Sequence, residues 1–183
     1  MNNVRNANAF DLKCLSLNIQ GLNKSIKRRT VFRWLHKQSH HIIFLQESYC
    51  SKDLAPVWEN EWGGKAFFSH GTNHSKGVIT LINPSVNFKV EKFIPDKQGR
   101  FIILKLSLGE KAIVLVNIYA PNDVAQQVTF FKRQNQQLEE FTLDTIVIGG
   151  DFNCTLTSND KRGGKPVSKK STVIQEINSL CDV

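Results

Sequence analysis

No two cysteines in this sequence stand at metal-binding or redox spacing. Cys14, Cys50, Cys154 and Cys181 are scattered, with no CxxC or CxxH. That argues against a structural zinc site and a dithiol motif, and it reads as reduced thiols in a nuclear or cytoplasmic protein. No apolar run approaches the roughly 18 residues that a membrane-spanning helix needs. The polar stretch Met1 to Asp11 lacks the apolar core of a signal peptide, so it reads as a flexible lead-in. Internal repeats and linker-like stretches are also missing, which leaves one domain over residues 12–183. Acidic residues are the minority charge: 16 Asp and Glu stand against 24 Lys and Arg, a net charge of +8. This favours a polyanionic partner, nucleic acid first, although charge alone is weak support.

What is present is enough for a sizeable core. Hydrophobic residues make up 40% of the 183, with twelve Phe and three Trp giving bulk. Leu12 to Asn18 reads as a strand that ends in a Gly- and Asn-containing loop. A basic helix follows, with Ser25 as its cap and with Trp34 and Leu35 turned to the core. His41 to Glu47 is a second strand, its four-residue apolar run suited to burial on both faces. Ser51 to Trp58 reads as a short helix or turn limited by Pro56. Five strands come next: 65–69, 77–82, 88–93, 100–106 and 111–119. Their connections are short enough to imply antiparallel neighbours, with a two-residue turn at Gly109-Glu110 and a slip in alternation before Phe93. A helix from Val124 to about Phe141, capped by Asn122 or Asp123, leads to a strand over 145–150. A polar, basic loop over 155–170 precedes a last helix from Ser171 or Thr172. The pattern predicts an α+β fold with two sheets face to face and helices outside.

The chemistry gathers at strand ends. In Thr145-Ile-Val-Ile-Gly-Gly-Asp151-Phe-Asn153, two glycines permit a sharp turn, and Asp151 and Asn153 lie two apart, on one side of an extended chain. Asn18, Glu47 and Tyr119 with Asn122 likewise follow apolar strands. Each position alone reads as an ordinary strand cap or Asx turn. Together they suit a phosphoryl-transfer site. One carboxylate can hold a hard divalent cation, a second can orient water, and amide or phenol donors can neutralise growing charge.

Five motifs now stand in order: Ser16-Leu-Asn18-Ile-Gln-Gly-Leu-Asn23, Leu45-Gln-Glu47-Ser48, Ser75-Lys-Gly-Val, Asn117-Ile-Tyr119-Ala-Pro-Asn122 and Gly149-Gly-Asp151-Phe-Asn153. They resemble the endonuclease/exonuclease/phosphatase superfamily, and most of all the apurinic-type endonuclease domain of LINE-type (non-LTR) retrotransposons. The resemblance implies a four-layered α/β sandwich and Mg²⁺-dependent phosphodiester hydrolysis, with Mn²⁺ as the alternative ion. It assigns Glu47 and Asn18 to the metal site and Asp151 to the attacking water. Asn153 would support that aspartate and the phosphate, and Tyr119 and Asn122 would contact the phosphate and transition state. From charge alone, Arg28 and Arg162 are expected to neutralise DNA phosphates.

The implied substrate is double-stranded DNA, nicked so that a reverse transcriptase in the same longer polypeptide can prime. The alternatives are an abasic-site repair endonuclease and a non-catalytic remnant that only binds DNA. The sequence also departs from the family. A late Asp and a closing Ser-Asp-His motif are missing, and all five histidines (His36, His40, His41, His70, His74) precede Tyr119. This reads as a domain shortened at its C-terminus, with little or no nuclease activity by itself.

Overall fold

The structure, a computed structural model, describes residues 12–154 and 171–181. The expected lead-in and the basic loop carrying Arg162 lie outside the described residues. Among these residues eight strands form two four-stranded sheets. The first contains β1 (Cys14–Asn18), β2 (Ile42–Gln46), β3 (Lys65–Ser69) and β4 (Val78–Ile82), in the order β1-β2-β4-β3. The second contains β5 (Lys89–Pro95), β6 (Phe101–Leu108), β7 (Lys111–Tyr119) and β8 (Thr145–Asp151), in sequence order. β1 runs parallel to β2 and β8 parallel to β7; the other pairs are antiparallel.

Alternation along the central strands builds the layers. Ile42 and Phe44 face the second sheet, where they pack among Ile102, Leu104 and Leu115. Ile43 and Leu45 point the other way, onto Phe32 and Leu35 of α1 (Ser25–Lys37) and Trp58 and Trp62 of α2 (Ala55–Trp62). Val114, Val116 and Ile118 of β7 face Phe131 and Leu138 of α3 (Val124–Leu138) and Val173 and Ile177 of α4 (Ser171–Cys181). The result is helices, sheet, sheet, helices: the four-layered sandwich. Strands buried on both faces must be apolar throughout, which is why β2 reads as an unbroken run. β5 lies at a sheet edge, largely exposed, with a register shift between Val90 and Lys92 where the alternation slips.

Several local expectations are corrected. Ser25 is the first helical residue of α1 and caps nothing; Lys24 occupies the cap position without a side-chain bond. Trp34 is 44% exposed, and the buried stripe runs through Arg28, Phe32 and Leu35 instead. Pro56 starts α2 rather than limiting it, because proline fits the first helical turn. That helix ends at Gly63, whose φ of +73° is the left-handed closure glycine allows. Asp123, not Asn122, caps α3, accepting from the Gln126 amide at 2.9 Å. Gly149 and Gly150 continue β8 instead of turning it. A Cβ on Gly149 would meet the Phe44 ring at 2.8 Å, and one on Gly150 the Ile118 carbonyl oxygen at 2.0 Å.

The largest correction concerns Arg28. It is 6% exposed and belongs to the core between α1 and α2. Its Nε and Nη2 grip Glu61 at 2.6 and 3.0 Å, and Nη1 donates to the Leu22 carbonyl at 3.1 Å. The guanidinium also lies 5.0 Å from the Trp58 ring centre. With its donors spent on Glu61 of α2 and the Leu22 carbonyl, Arg28 is packed inside the fold instead of standing on an exposed basic face.

Candidate active site

The carboxyl ends of β1, β2, β7 and β8 meet at one end of the sandwich. Asn18 closes β1, Glu47 follows β2, Tyr119 closes β7 and Asp151 closes β8. Asn18 Nδ2 donates to Glu47 Oε1 at 2.9 Å and to Asp151 Oδ2 at 2.8 Å. Tyr119 donates its phenol to the same Glu47 Oε1 at 2.9 Å. One carboxamide and one phenol therefore join four strands from two sheets.

Each group has its own support. Ser16, Gln46 and Asn117 tie the sheets together just beneath the site. Gln46 Nε2 donates to Asn117 Oδ1 at 2.8 Å, and Asn117 Nδ2 to the Ile79 carbonyl at 2.9 Å. Gln46 Nε2 also reaches Ser16 Oγ at 3.2 Å. The strand ends then leave regular geometry. Gln20 (φ +46°), Glu47 (+53°), Tyr49 (+60°), Lys76 (+61°) and Asn153 (+48°) are all left-handed, a conformation non-glycine residues hold only where surrounding bonds enforce it. Those bonds are present: Gly21 N to Glu47 O at 2.7 Å, Ser48 N to Gly77 O at 2.9 Å and Tyr49 N to Lys76 O at 3.0 Å. Gly77 itself (φ +85°) leaves no room for a Cβ, which would fall 2.6 Å from Ser48 Oγ.

Asp151 and Asn153 are related differently from the expected same-side pair. The chain turns left-handed at Asn153, so its backbone N–H donates to Asp151 Oδ1 at 3.0 Å, as in an Asx turn. Its carboxamide reaches back to the Ala120 carbonyl at 2.7 Å. Both Asp151 oxygens are thus held, one by Asn18 and one by Asn153. Asn122 is exposed on the loop before α3, and among the described residues no hydrogen bond joins its side chain to the cluster. Arg162 lies outside the described residues.

Three participants escaped the sequence reading. Tyr49 donates to Glu47 Oε2 at 2.9 Å. Arg100 sits against Tyr119, its guanidinium 5.3 Å from the ring centre and Nη1 3.3 Å from the Tyr119 carbonyl. Gln127, buried on α3, donates to the carbonyls of Pro121 at 2.7 Å and Asn153 at 2.9 Å, binding both loops to the helix. A polar residue one turn past the Asp123 cap, on the apolar face of α3, was the available signal for Gln127.

Electrostatics follow from these bonds. Partial burial pushes the Glu47 pKa up, but hydrogen bonds from Asn18, Tyr49 and Tyr119 outweigh it and hold it below the usual glutamate value. Burial first, and then the bond to Glu47, push the Tyr119 phenol up to about 12. The bond to Glu47 also raises Tyr49. Both phenols are therefore neutral donors at pH 7. Among the described residues no ion pair engages Glu47 or Asp151. Two partly exposed carboxylates are held together by neutral donors alone.

Known proteins share this arrangement of chain. The Endonuclease/Exonuclease/phosphatase family profile matches residues 15–176. The "Transposon TX1 uncharacterized 149 kDa protein" of Xenopus laevis is 31% identical over 176 residues, covering 94% of this chain. The chain spans 14% of the length of that relative. Among solved structures, an AP endonuclease from Archaeoglobus fulgidus superposes with a TM-score of 0.70 at 18% identity, covering 93% of this chain and 70% of that one. D. rerio TDP2 complexed with single strand DNA product superposes at 0.62 with 15% identity, covering 88% of this chain and 64% of that one. At those identities the two structures speak for the fold. With the family profile spanning both sheets and all four strand ends of the cluster, the chain belongs to the Endonuclease/Exonuclease/phosphatase family.

Proposed function

We propose that the chain is a divalent-metal-dependent phosphodiesterase that nicks double-stranded DNA, the endonuclease domain of a LINE-type retroelement. The observation that carries this is the single hydrogen-bonded cluster of Asn18, Glu47, Tyr119 and Asp151. The transposon protein from X. laevis supports the retroelement setting, and its far greater length leaves room for a reverse transcriptase in a longer polypeptide. The net charge of +8 and the DNA product bound by D. rerio TDP2 support a DNA substrate. Such a protein acts in the nucleus or cytoplasm.

The donor set fits a hard cation. Glu47 and Asp151 are carboxylates without a cationic partner among the described residues, and Mg²⁺ is commonly held by one or two carboxylates plus waters. Glu47 would hold Mg²⁺, or Mn²⁺ in its place. Such an ion supplies Lewis-acid polarisation of a phosphoryl oxygen. Asn18 presents its N–H rather than its oxygen to both carboxylates, while Asn18 Oδ1 accepts from Gln20 N at 3.2 Å. It acts as a bridge in this arrangement, and ligation through its oxygen requires the carboxamide to turn over.

The remaining steps use this chain's own groups. Asp151, fixed by Asn18 and the Asn153 amide, is an oriented acceptor for a water proton. Tyr119, neutral and poised at Glu47, can donate to a phosphoryl oxygen as negative charge develops there. Arg100 holds the Tyr119 ring in place and adds positive charge beside it. Asn122, exposed at the rim, is placed to meet a phosphate of an approaching strand. No histidine bonds to the cluster among the described residues, so turnover by this chain alone is proposed to be slow.

The test is relaxation of supercoiled plasmid at excess protein, with Mg²⁺ or with EDTA. Slow Mg²⁺-dependent nicking, abolished in Glu47→Gln and in Asp151→Asn, is the expected result. Nicking that survives EDTA or both substitutions overturns the reading. Salt-sensitive DNA binding with no product at any Mg²⁺ concentration replaces it with the DNA-binding remnant. Strong preference for an abasic duplex over an intact one replaces it with repair.

A further inference from the structure

Glu47 is held unequally at its two oxygens. Oε1 accepts from both Asn18 Nδ2 and the Tyr119 hydroxyl, each at 2.9 Å. A carboxylate oxygen has two lone pairs, so Oε1 is filled. Oε2 accepts from the Tyr49 hydroxyl alone among the described residues, at 2.9 Å. The acceptor position left for a cation is therefore on Oε2, and Tyr49 is the group that fixes where Oε2 lies. Without Tyr49 the carboxylate can pivot about the anchored Oε1.

Tyr49 is itself built into place. Its backbone is left-handed at φ +60°, and its N–H is bonded to the Lys76 carbonyl at 3.0 Å. Its ring lies on the backbone of Gly21, where a Cβ would come within 2.6 Å of the ring carbon Cδ2. Gly21 N in turn donates to the Glu47 carbonyl at 2.7 Å. The loops after β1 and β2 and the approach to β4 thus converge to aim one phenol at one oxygen.

We infer that Tyr49 is a positioning residue that holds Glu47 Oε2 fixed and thereby favours Mg²⁺ over Ca²⁺ at this site. This rests on the reading of Glu47 as a cation ligand. The physical reason is the different tolerance of the two ions. Mg²⁺ demands near-ideal octahedral geometry with short ligand distances, whereas Ca²⁺ accepts variable geometry and longer ones. A ligand oxygen that wanders therefore costs Mg²⁺ more than Ca²⁺. Tyr49→Phe keeps the ring against Gly21 and removes only the hydroxyl, so the loops retain their packing.

The experiment measures binding, not turnover. Mg²⁺ and Ca²⁺ affinities of the 183-residue chain are read by their competition with Mn²⁺, followed by electron paramagnetic resonance. Glu47→Gln identifies the site. The expected result is a Mg²⁺-to-Ca²⁺ affinity ratio about fivefold lower in Tyr49→Phe, the scale of one hydrogen bond's net worth. A general loosening of the loops would weaken both ions alike and leave the ratio unchanged, and that outcome overturns the inference. Absence of any Glu47-dependent ion binding in the unsubstituted chain overturns the reading beneath it instead.

Discussion

Replacing Asn117 with leucine tests whether the polar tie between the sheets sets the distance across the site. Asn117 is fully buried on β7, two residues before Tyr119, and its partner Gln46 immediately precedes Glu47. Leucine keeps the bulk and removes the hydrogen bonds. Gln46 Nε2 loses its 2.8 Å acceptor but keeps Ser16 Oγ at 3.2 Å; the Ile79 and Leu45 carbonyls lose donors at 2.9 and 3.4 Å but keep their places in the β2–β4 pairing. Each group keeps one partner, so what is lost is the net worth of a hydrogen bond, about 0.5–1.5 kcal/mol. Two good bonds lost give about 1–3 kcal/mol in all. A domain of this kind has roughly 5–15 kcal/mol of stability, so the variant stays folded at 25 °C. For a chain of this size, each kcal/mol lowers Tm by about 2–4 °C, which gives a drop of about 2–12 °C. Urea unfolding followed by tryptophan fluorescence reads the change, because Trp58 and Trp62 are buried in the α1–α2 layer. Adding Gln46→Leu removes the remaining orphaned amide, so the double variant should lose at least about 1 kcal/mol less than the sum of the two single changes. The double variant should still nick DNA more slowly than the unsubstituted chain, because the Glu47–Tyr119 contact is no longer pinned from below. A single variant within about 0.5 kcal/mol of the parent, or strictly additive substitutions, would refute the reasoning.

Two further outcomes follow from the same contacts. The chain has only two tyrosines, and both donate to Glu47, so tyrosinate absorbance reports this site alone. Both phenols are raised in the fold, Tyr119 up to about 12, so their stabilisation is complete below the unfolded value near 10 and is lost as pH rises through the folded value. Native-state titration of both phenols near 10 would contradict the hydrogen bonds. Arg28→Ala should destabilise the chain by about 3–5 kcal/mol, since among the described residues Glu61 keeps only the exposed Arg29 as an ionic partner, at 3.4 Å. The salt dependence of its DNA binding should match the parent's; a slope shallower by about one unit would return Arg28 to a phosphate contact.

What the sequence disclosed and what it hid divide along one line: whether the determining partner is local. β3 and β7 run over the expected residues, and the Gly109-Glu110 turn joins β6 to β7, because pairing and alternation are written in neighbouring residues. The meeting of Asn18, Glu47, Tyr119 and Asp151 was legible for a related reason, since polar residues at the carboxyl ends of neighbouring strands emerge at one end of the sandwich. Arg28 was misassigned because helical spacing sends a charge to solvent unless a partner exists, and Glu61 lies 33 residues away on α2. The buried face of α1 runs through Arg28, Phe32 and Leu35, and Trp34 falls outside it. Asn153 lies next to Asp151, but its side chain turns to the Ala120 carbonyl instead of standing beside the carboxylate. The same-side rule holds for extended chain, and the chain stops being extended there. Tyr49 fails the rule in the same way, since left-handed residues at 47 and 49 redirect a side chain that alternation would place elsewhere. In this fold, periodicity carries side chains to the strand ends, and departures from periodicity aim them. The residues that finish the site are therefore hardest to read where the backbone is most constrained by bonds from other loops.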